Sequence, residues 1–425
     1  MANGRTMKLV KDIIENDTHR KYIVVSAPGK RNSKDTKVTD LLYQCYASMM
    51  DGVCVKDSFL PIRQRFEMIA DELDLQIDIK FILDETEKRI EEEQNEEFTI
   101  SRGEYLSARV FSEFIGADFI DAENVMFFNN DGTFDLSTSC KAISRALEGV
   151  ERAVIPGFYG LSANGKIKTF SRGGSDITGA IVARAIDLCI YENWTDVTGF
   201  LACDPRIVQN PKQMKNVTYT ELRELSIMGA NVLHNETVVP VIEKNIPIII
   251  KNTFCPEAEG TTISSKYVDS GYHITGISGK KNYTLIFIEK SEEEEESMFI
   301  EKVLNILAKE KVTAEHICME NNILSLSIKK DEMDSKAFNR IIAEIHEKVF
   351  INMIKYYENT SIIAVVGEGV TKDKSVFERI GKSLSKPKIN FTFFDQSSME
   401  FRILIGVNDE DYEKCINSLY CEFFC

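Results

Sequence analysis

The sequence predicts an α/β protein in two parts: an αβα sandwich over residues 1–270, then two small βαββαβ units over residues 271–425. Three observations predict it. Short β-branched runs at 21–27, 154–157 and 246–251 alternate with segments of helical period, the pattern of a parallel sheet covered on both faces. Composition shifts at 257–269, a Gly/Ser/Thr-rich stretch that reads as a linker. Beyond it the order strand, helix, strand, strand, helix, strand runs twice.

Residues 7–14 read as an amphipathic helix and 21–27 (Lys-Tyr-Ile-Val-Val-Ser-Ala) as a buried strand ending in a Ser-Ala-Pro-Gly loop. Thr39 is expected to cap the next helix. Residues 60–98 read as helices rich in carboxylates, with 91–97 a solvated acidic face. Gly103-Glu104 reads as the start of a further helix, its acid complementing the dipole. A short strand and turn lie in 118–130, and residues 161–169 form a polar, hairpin-like segment. Residues 220–228 read as a helix and 246–251 as the last core strand of the first part. In the second part the expected strands are 274–278, 283–289, 316–319, 323–328, 353–357, 362–367, 390–395 and 401–407. The expected helices are 298–309, 337–349, 376–384 and 411–423.

Composition bounds the function. With 67 acidic and 51 basic residues among 425, the net charge of −16 argues against nucleic acid or an anionic membrane as partner. No apolar run approaches the roughly 20 residues of a membrane span. The ten cysteines show no Cys-x-x-Cys pair and no histidine at zinc spacing, so reduced thiols in a cytoplasmic protein are expected, and no metal ligands are assigned. His234, alone on an apolar segment, reads as a structural hydrogen-bonder.

One stretch stands out for chemistry: Phe170-Ser171-Arg172-Gly173-Gly174-Ser175-Asp176, running into a helix at 177–190. Ser175 or Asp176 is a competent cap, and the free amides of a first turn favour an anion. Gly173 and Gly174 permit close approach of a ligand, and Arg172 offers a planar fork for carboxylate or phosphate. By itself a Gly-Gly before a helix is a tight turn; the Arg, Ser and Asp around it make it a site candidate.

Arg172-Gly173-Gly174-Ser175-Asp176, Trp194-Thr195-Asp196-Val197-Thr198-Gly199, Asp204-Pro205-Arg206 and Met228-Gly229-Ala230-Asn231-Val232-Leu233-His234 follow in order. This series resembles the aspartate kinases of the amino-acid kinase superfamily, and the likeness covers nearly the whole chain. It implies transfer of the γ-phosphoryl group of ATP, with Mg2+, to the side-chain carboxylate of L-aspartate, the first step of lysine, threonine and methionine biosynthesis. It assigns Thr39, Glu104, Arg172, Gly173, Gly174 and Ser175 to substrate, Glu104 holding the ammonium and Arg172 the carboxylate. Asp176 is implied as the catalytic residue. Ser26, Thr195, Asp196, Leu201, Arg206, Asn231 and Val232 are implied as the ATP site.

The twin units resemble ferredoxin-like ACT domains, with 395–400 matching their turn between strands. The first unit, 282–358, is expected to be inserted in the second, 273–279 plus 360–425. The resemblance implies an amino-acid effector, lysine or threonine, near Met298, Phe299, Ile300, Ala314 and Glu315, and a homodimer or higher homo-oligomer. Aspartate kinases open with a strand bearing Lys-Phe-Gly-Gly, which this chain lacks. A truncated start, with the first strand missing, is the expectation. Where the family often has lysine this chain has Asn231, and where it often has tyrosine, Leu201. A catalytically impaired amino-acid sensor is therefore the alternative, and a kinase for glutamate or carbamate fits two ACT-like units poorly. The chain ends after the second unit, without room for a fused homoserine dehydrogenase.

Overall fold

The computed structural model describes all residues except 172, 231, 232, 234, 270, 386 and 397–399, and all their side chains except those of 235 and 236. It forms two compact units. The first comprises Met1–Phe200, Lys215–Tyr219 and Val232–Tyr267; the second comprises Leu201–Met214, Thr220–Asn231 and Val268–Cys425.

In the first unit the strand Ala153–Pro156 lies between Tyr22–Val25 and Asp118–Phe119, all parallel. Ala153, Val154 and Ile155 are fully buried, as a parallel strand covered on both faces requires. Its cover comes from amphipathic helices: Val38–Met50, Val55–Leu73 and Glu96–Ile115 bury Leu42, Phe59, Phe66, Leu106 and Phe111 in the same core. Burying each such side chain contributes about 1.5–3 kcal/mol. A four-stranded sheet, ordered Asn216–Thr218, Thr261–Ser264, Ile248–Asn252, Tyr191–Thr195, completes the unit. The stretch at 257–269 thus contains a paired strand, since Ile263 is buried opposite Ile248.

Three local expectations are corrected. The helix after the glycines spans Gly174–Ala185 with Gly173 as its cap at φ 60°, so Ser175 and Asp176 are first-turn residues. The helix at 38 starts at Val38 after Lys37, placing Thr39 inside its first turn. Glu104 sits in the middle of Glu96–Ile115, which is capped by Asn95 through its bond to the Phe98 amide (2.8 Å). Polar residues on its buried face hide where that helix begins.

The second unit is built on one six-stranded sheet, ordered Ala314–Glu320, Ile323–Lys329, Gly276–Lys290, Ile351–Val366, Arg402–Asn408, Phe391–Gln396. Gly276–Lys290 and Ile351–Val366 are single long strands where four short ones were expected. Each passes an irregularity at an asparagine in the left-handed region, Asn282 (φ 68°) and Asn359 (φ 53°), without leaving the ladder. Gly276–Lys280 therefore pairs with Ile362–Val366, and Tyr283–Lys290 with the earlier half of the same partner. Helices Glu296–Lys309 and Ser335–Lys348 pack Phe299, Val303, Ile341 and Ile345 on Ile286, Ile288 and Leu326. Two stretches before residue 270 join this unit through specific bonds. Ile277 N donates to Ala202 O (2.8 Å), Ser278 Oγ to Met228 O (2.9 Å) and Arg402 to Glu224 (2.6 Å).

Candidate active site

Two parallel strands of the first unit end side by side. The Gly157 amide donates to Val25 O (3.0 Å), so Ser26, Ala27 and Gly157 share the carboxyl end of the sheet. The carboxyl edge of parallel strands is where such sheets bind ligands. The helix Gly174–Ala185 starts there. A Cβ on Gly157 would lie 2.6 Å from the Ser175 Cα, and one on Gly174 would lie 2.8 Å from the Phe158 Cα. Only glycine permits this approach. Thr178 fastens it, donating to Gly174 O (2.8 Å) and accepting from the Phe158 amide (3.2 Å). The first amide bonded within the helix is that of Ile177, to Gly173 O (2.9 Å). Among the described residues no bond is made by the amides of Gly174 and Ser175, and such a first turn is a positive end suited to an anion.

Asp176 is oriented from the neighbouring sheet. Asn193 Nδ2 donates to Asp176 Oδ1 (2.8 Å), and the Tyr191 hydroxyl donates to Asp176 O (3.2 Å). Burial, with the charge of Asp176 adding, pushes the Tyr191 phenol far up, so it stays a donor. Strand alternation puts Tyr191, Asn193 and Thr195 on one face of Tyr191–Thr195, so Thr195 shares the face that meets Asp176. Thr195 and Asp196 follow at the strand's end, Thr195 O accepting from the Thr253 amide (2.8 Å) and its hydroxyl bonding Asp196 (3.3 Å).

Glu104 is the unusual group. It is 5% exposed, and its Oε2 has no hydrogen-bond partner among the described residues. Burial pushes its carboxyl up to about 8, against the smaller opposing pulls of nearby backbone amides and of the Arg102 charge. Arg102 does not face it squarely. That guanidinium is itself buried, lies 4.3, 4.7 and 5.0 Å from the ring centres of Phe98, Tyr105 and Tyr159, and donates to Ser101 Oγ (2.9 Å) and Phe98 O (3.3 Å). A buried carboxyl without a paired cation is costly unless it is neutral or receives one.

The chain between Ser26 and Thr39 is held by a buried ion pair. Arg65 donates to both oxygens of Asp35 (2.8 and 2.7 Å) and to Gly29 O (3.1 Å), while Arg31 grips the same carboxylate through Nε and Nη2 (both 2.9 Å). The two arginines, Arg31 foremost, hold the Asp35 carboxyl far below the usual carboxylate range.

Residues 1–252 match the amino acid kinase family, and residues 363–423 match an ACT domain. Aspartokinase 3 of Bacillus subtilis (strain 168) is 32% identical over 438 residues, covering 100% of this chain and 96% of that one. The chain belongs to the aspartokinase family. The crystal structure of Clostridium acetobutylicum aspartate kinase superposes with a TM-score of 0.92 at 44% identity, over 99% of this chain and 97% of that one. E. coli aspartokinase III, solved with aspartate and ADP, has the same fold: TM-score 0.77 at 21% identity, over 100% of this chain and 97% of that one.

Within this family member the structure brings Ser26, Thr39, Glu104, Gly173, Gly174, Ser175, Asp176, Thr195 and Asp196 into one unit. Leu201 and Arg206 lie in the second unit, Arg206 exposed and paired with Asp204 (2.6 Å). Arg172, Asn231 and Val232 lie outside the described residues, as do His234 and the middle of the 395–400 turn. Of the effector candidates, Met298 is exposed, but the Phe299 side chain is fully buried in the core. Glu315 accepts from Lys280 (3.2 Å) and from the Tyr283 hydroxyl. Sequence reasoning missed Asn193, Thr178, Gly157, Arg65 and Asp35. For Asn193 a signal existed: a polar residue facing inward, by alternation, in the strand Tyr-Glu-Asn-Trp-Thr.

Proposed function

We propose that this chain phosphorylates L-aspartate, using ATP, to 4-phospho-L-aspartate, and that residues 271–425 regulate it. The observation that carries the substrate is Glu104: a buried carboxyl with an oxygen that has no partner among the described residues fits an ammonium. Glu104 takes the substrate ammonium and Arg172 its α-carboxylate. The side-chain carboxylate is already a nucleophile, so no general base is required. Its oxygen forms a bond to the γ-phosphorus as the bond to the ADP oxygen breaks, and ADP leaves with that electron pair.

The protein's share is position and charge. The Gly174 and Ser175 amides meet the negative oxygens, and Asp176, fixed by Asn193, orients cationic groups around them. Ser26, Thr39, Thr195 and Asp196 complete the substrate and nucleotide contacts. Among the described residues no three His, Cys, Asp or Glu side chains are grouped to hold a metal. The Mg2+ of this reading is carried on the nucleotide's phosphates, where it neutralises charge.

The domain reading is a catalytic part at 1–270 and tandem ACT units, 282–358 inserted within 273–279 plus 360–425. E. coli aspartokinase III has also been solved with lysine and aspartate, at a TM-score of 0.75, which supports lysine, with threonine as the other candidate effector. A cytoplasmic homo-oligomer completes the reading; no helix among the described residues is long and apolar enough to cross a membrane. The test is aspartate-dependent ADP formation with Mg-ATP, trapping the acyl phosphate as its hydroxamate, with and without lysine or threonine. Turnover that Asp176→Asn and Arg172→Ala abolish supports the reading. An inert chain that still binds lysine is a sensor instead.

A further inference from the structure

We propose that Glu104 is protonated in the empty site and that aspartate binding expels this proton to solvent, exchanging a buried proton for the substrate's ammonium. The inference rests on the assignment of Glu104 to that ammonium and deepens it. Three observations carry it. Glu104 lies mid-helix and is almost wholly buried, so water solvates neither oxygen well. Among the described residues its Oε2 has no hydrogen-bond partner. Arg102, the charged group acting on it, is committed to three aromatic rings, Ser101 and the Phe98 carbonyl.

Two cations on other elements packed against this helix are engaged elsewhere: Lys168 pairs with Glu97 (3.0 Å) and Arg89 lies over the Phe98 ring (4.7 Å). From the helix Val38–Met50 comes the Tyr43 phenol, itself pushed up by burial, with the charges of Glu96 and Glu104 adding. The strand Ala153–Pro156 has no titratable side chain. On the helix Gly174–Ala185 the first-turn acid, Asp176, accepts from Asn193. A carboxylate here would be desolvated and unpaired; a carboxylic acid is neutral and tolerated. Arrival of an ammonium reverses the balance. The step is Glu–COOH plus R–NH3+ giving Glu–COO−···+H3N–R plus H+, the proton passing to buffer.

The expected size follows from a carboxyl poised at about 8. About nine-tenths of a proton leaves per aspartate bound at pH 7 and about one-tenth at pH 9, and aspartate affinity rises about tenfold between them. Calorimetric titration of the full chain with aspartate, in buffers of different ionisation enthalpy and with Mg-ADP present, reads this number directly. Succinate, which is aspartate without its ammonium, is expected to release none. Glu104→Gln keeps the shape but cannot ionise, so aspartate is expected to bind about tenfold or more weakly and with no pH dependence between 7 and 9, and what binds releases no proton. Infrared difference spectra give a second readout on the unmodified chain, a protonated-carboxyl band lost on adding aspartate and kept on adding succinate.

Aspartate binding without proton release at pH 7 overturns the proposal and leaves the kinase reading standing; a pre-existing Arg172–Glu104 pair would give this result. Equal release by succinate assigns the proton to another group and also overturns it. Absence of aspartate binding overturns both.

Discussion

Replacing Asp35 with alanine removes the centre of a buried charge network, and its cost can be worked from the geometry. Arg65 is 2% exposed and Asp35 9%. Without the carboxylate, Arg65 keeps Gly29 O at 3.1 Å and Thr36 O at 3.4 Å, two neutral acceptors at the edge of useful length. Breaking a buried pair by deleting one partner costs about 3–5 kcal/mol, because the remaining charge stays buried. Trp194, the single tryptophan, lies in the same unit and reports its unfolding. With a urea slope of about 3 kcal/mol/M the midpoint is expected to fall by about 1–1.7 M. The pH dependence has a definite sign. The folded carboxyl is held below its unfolded value of about 3.9, so this stability is present above pH 4 and fades as pH falls toward the folded value. The difference between wild type and Asp35→Ala should therefore narrow in acid. Since the pair anchors the segment between Ser26 and Thr39, KM for both substrates is expected to rise. A midpoint change under about 0.3 M would refute the argument, showing that Arg65 finds solvent or another acceptor at little cost.

Three further perturbations follow from the same geometry. Gly157→Ala would set a Cβ 2.6 Å from the Ser175 backbone, and the first turn of the catalytic helix must move; activity is expected to fall at least about 100-fold, for a stability loss of about 1–3 kcal/mol. Circular dichroism and the hydroxamate assay separate the two effects. Arg102→Ala empties a site between three aromatic rings and is expected to cost about 3–5 kcal/mol in urea titration. Glu221→Ala strips the buried acceptor of the Thr275 hydroxyl (2.6 Å) and the Glu368 amide (2.9 Å). A loss of about 2–4 kcal/mol in the second unit should follow, read as faster hydrogen exchange at Glu368.

Helices and strands were largely legible because hydrophobic period reports which face is buried. Gly173-Gly174 was legible as well, since close approach and a positive φ leave few other residues. The start of the helix holding Glu104 was not legible. Ser101, Arg102, Glu104 and Ser107 are buried polar residues, and polarity reads as exposure until the partners are known. Likewise Asn282 and Asn359 look like strand ends, yet the long-range ladders carry both strands past them.

By itself, then, the sequence determined the order of elements, the twin βαββαβ pattern, the glycine approach at the helix start and the motif series that marks the family. Tertiary structure decided what each polar group faces. Asn193 reaches Asp176 across two elements, Asp35 collects two arginines, and Arg102, two residues from the buried Glu104, is drawn into aromatic rings. Local periodicity encodes a residue's own burial. The charge state of a buried group depends on what the rest of the chain places around it, and chain neighbours do not record that.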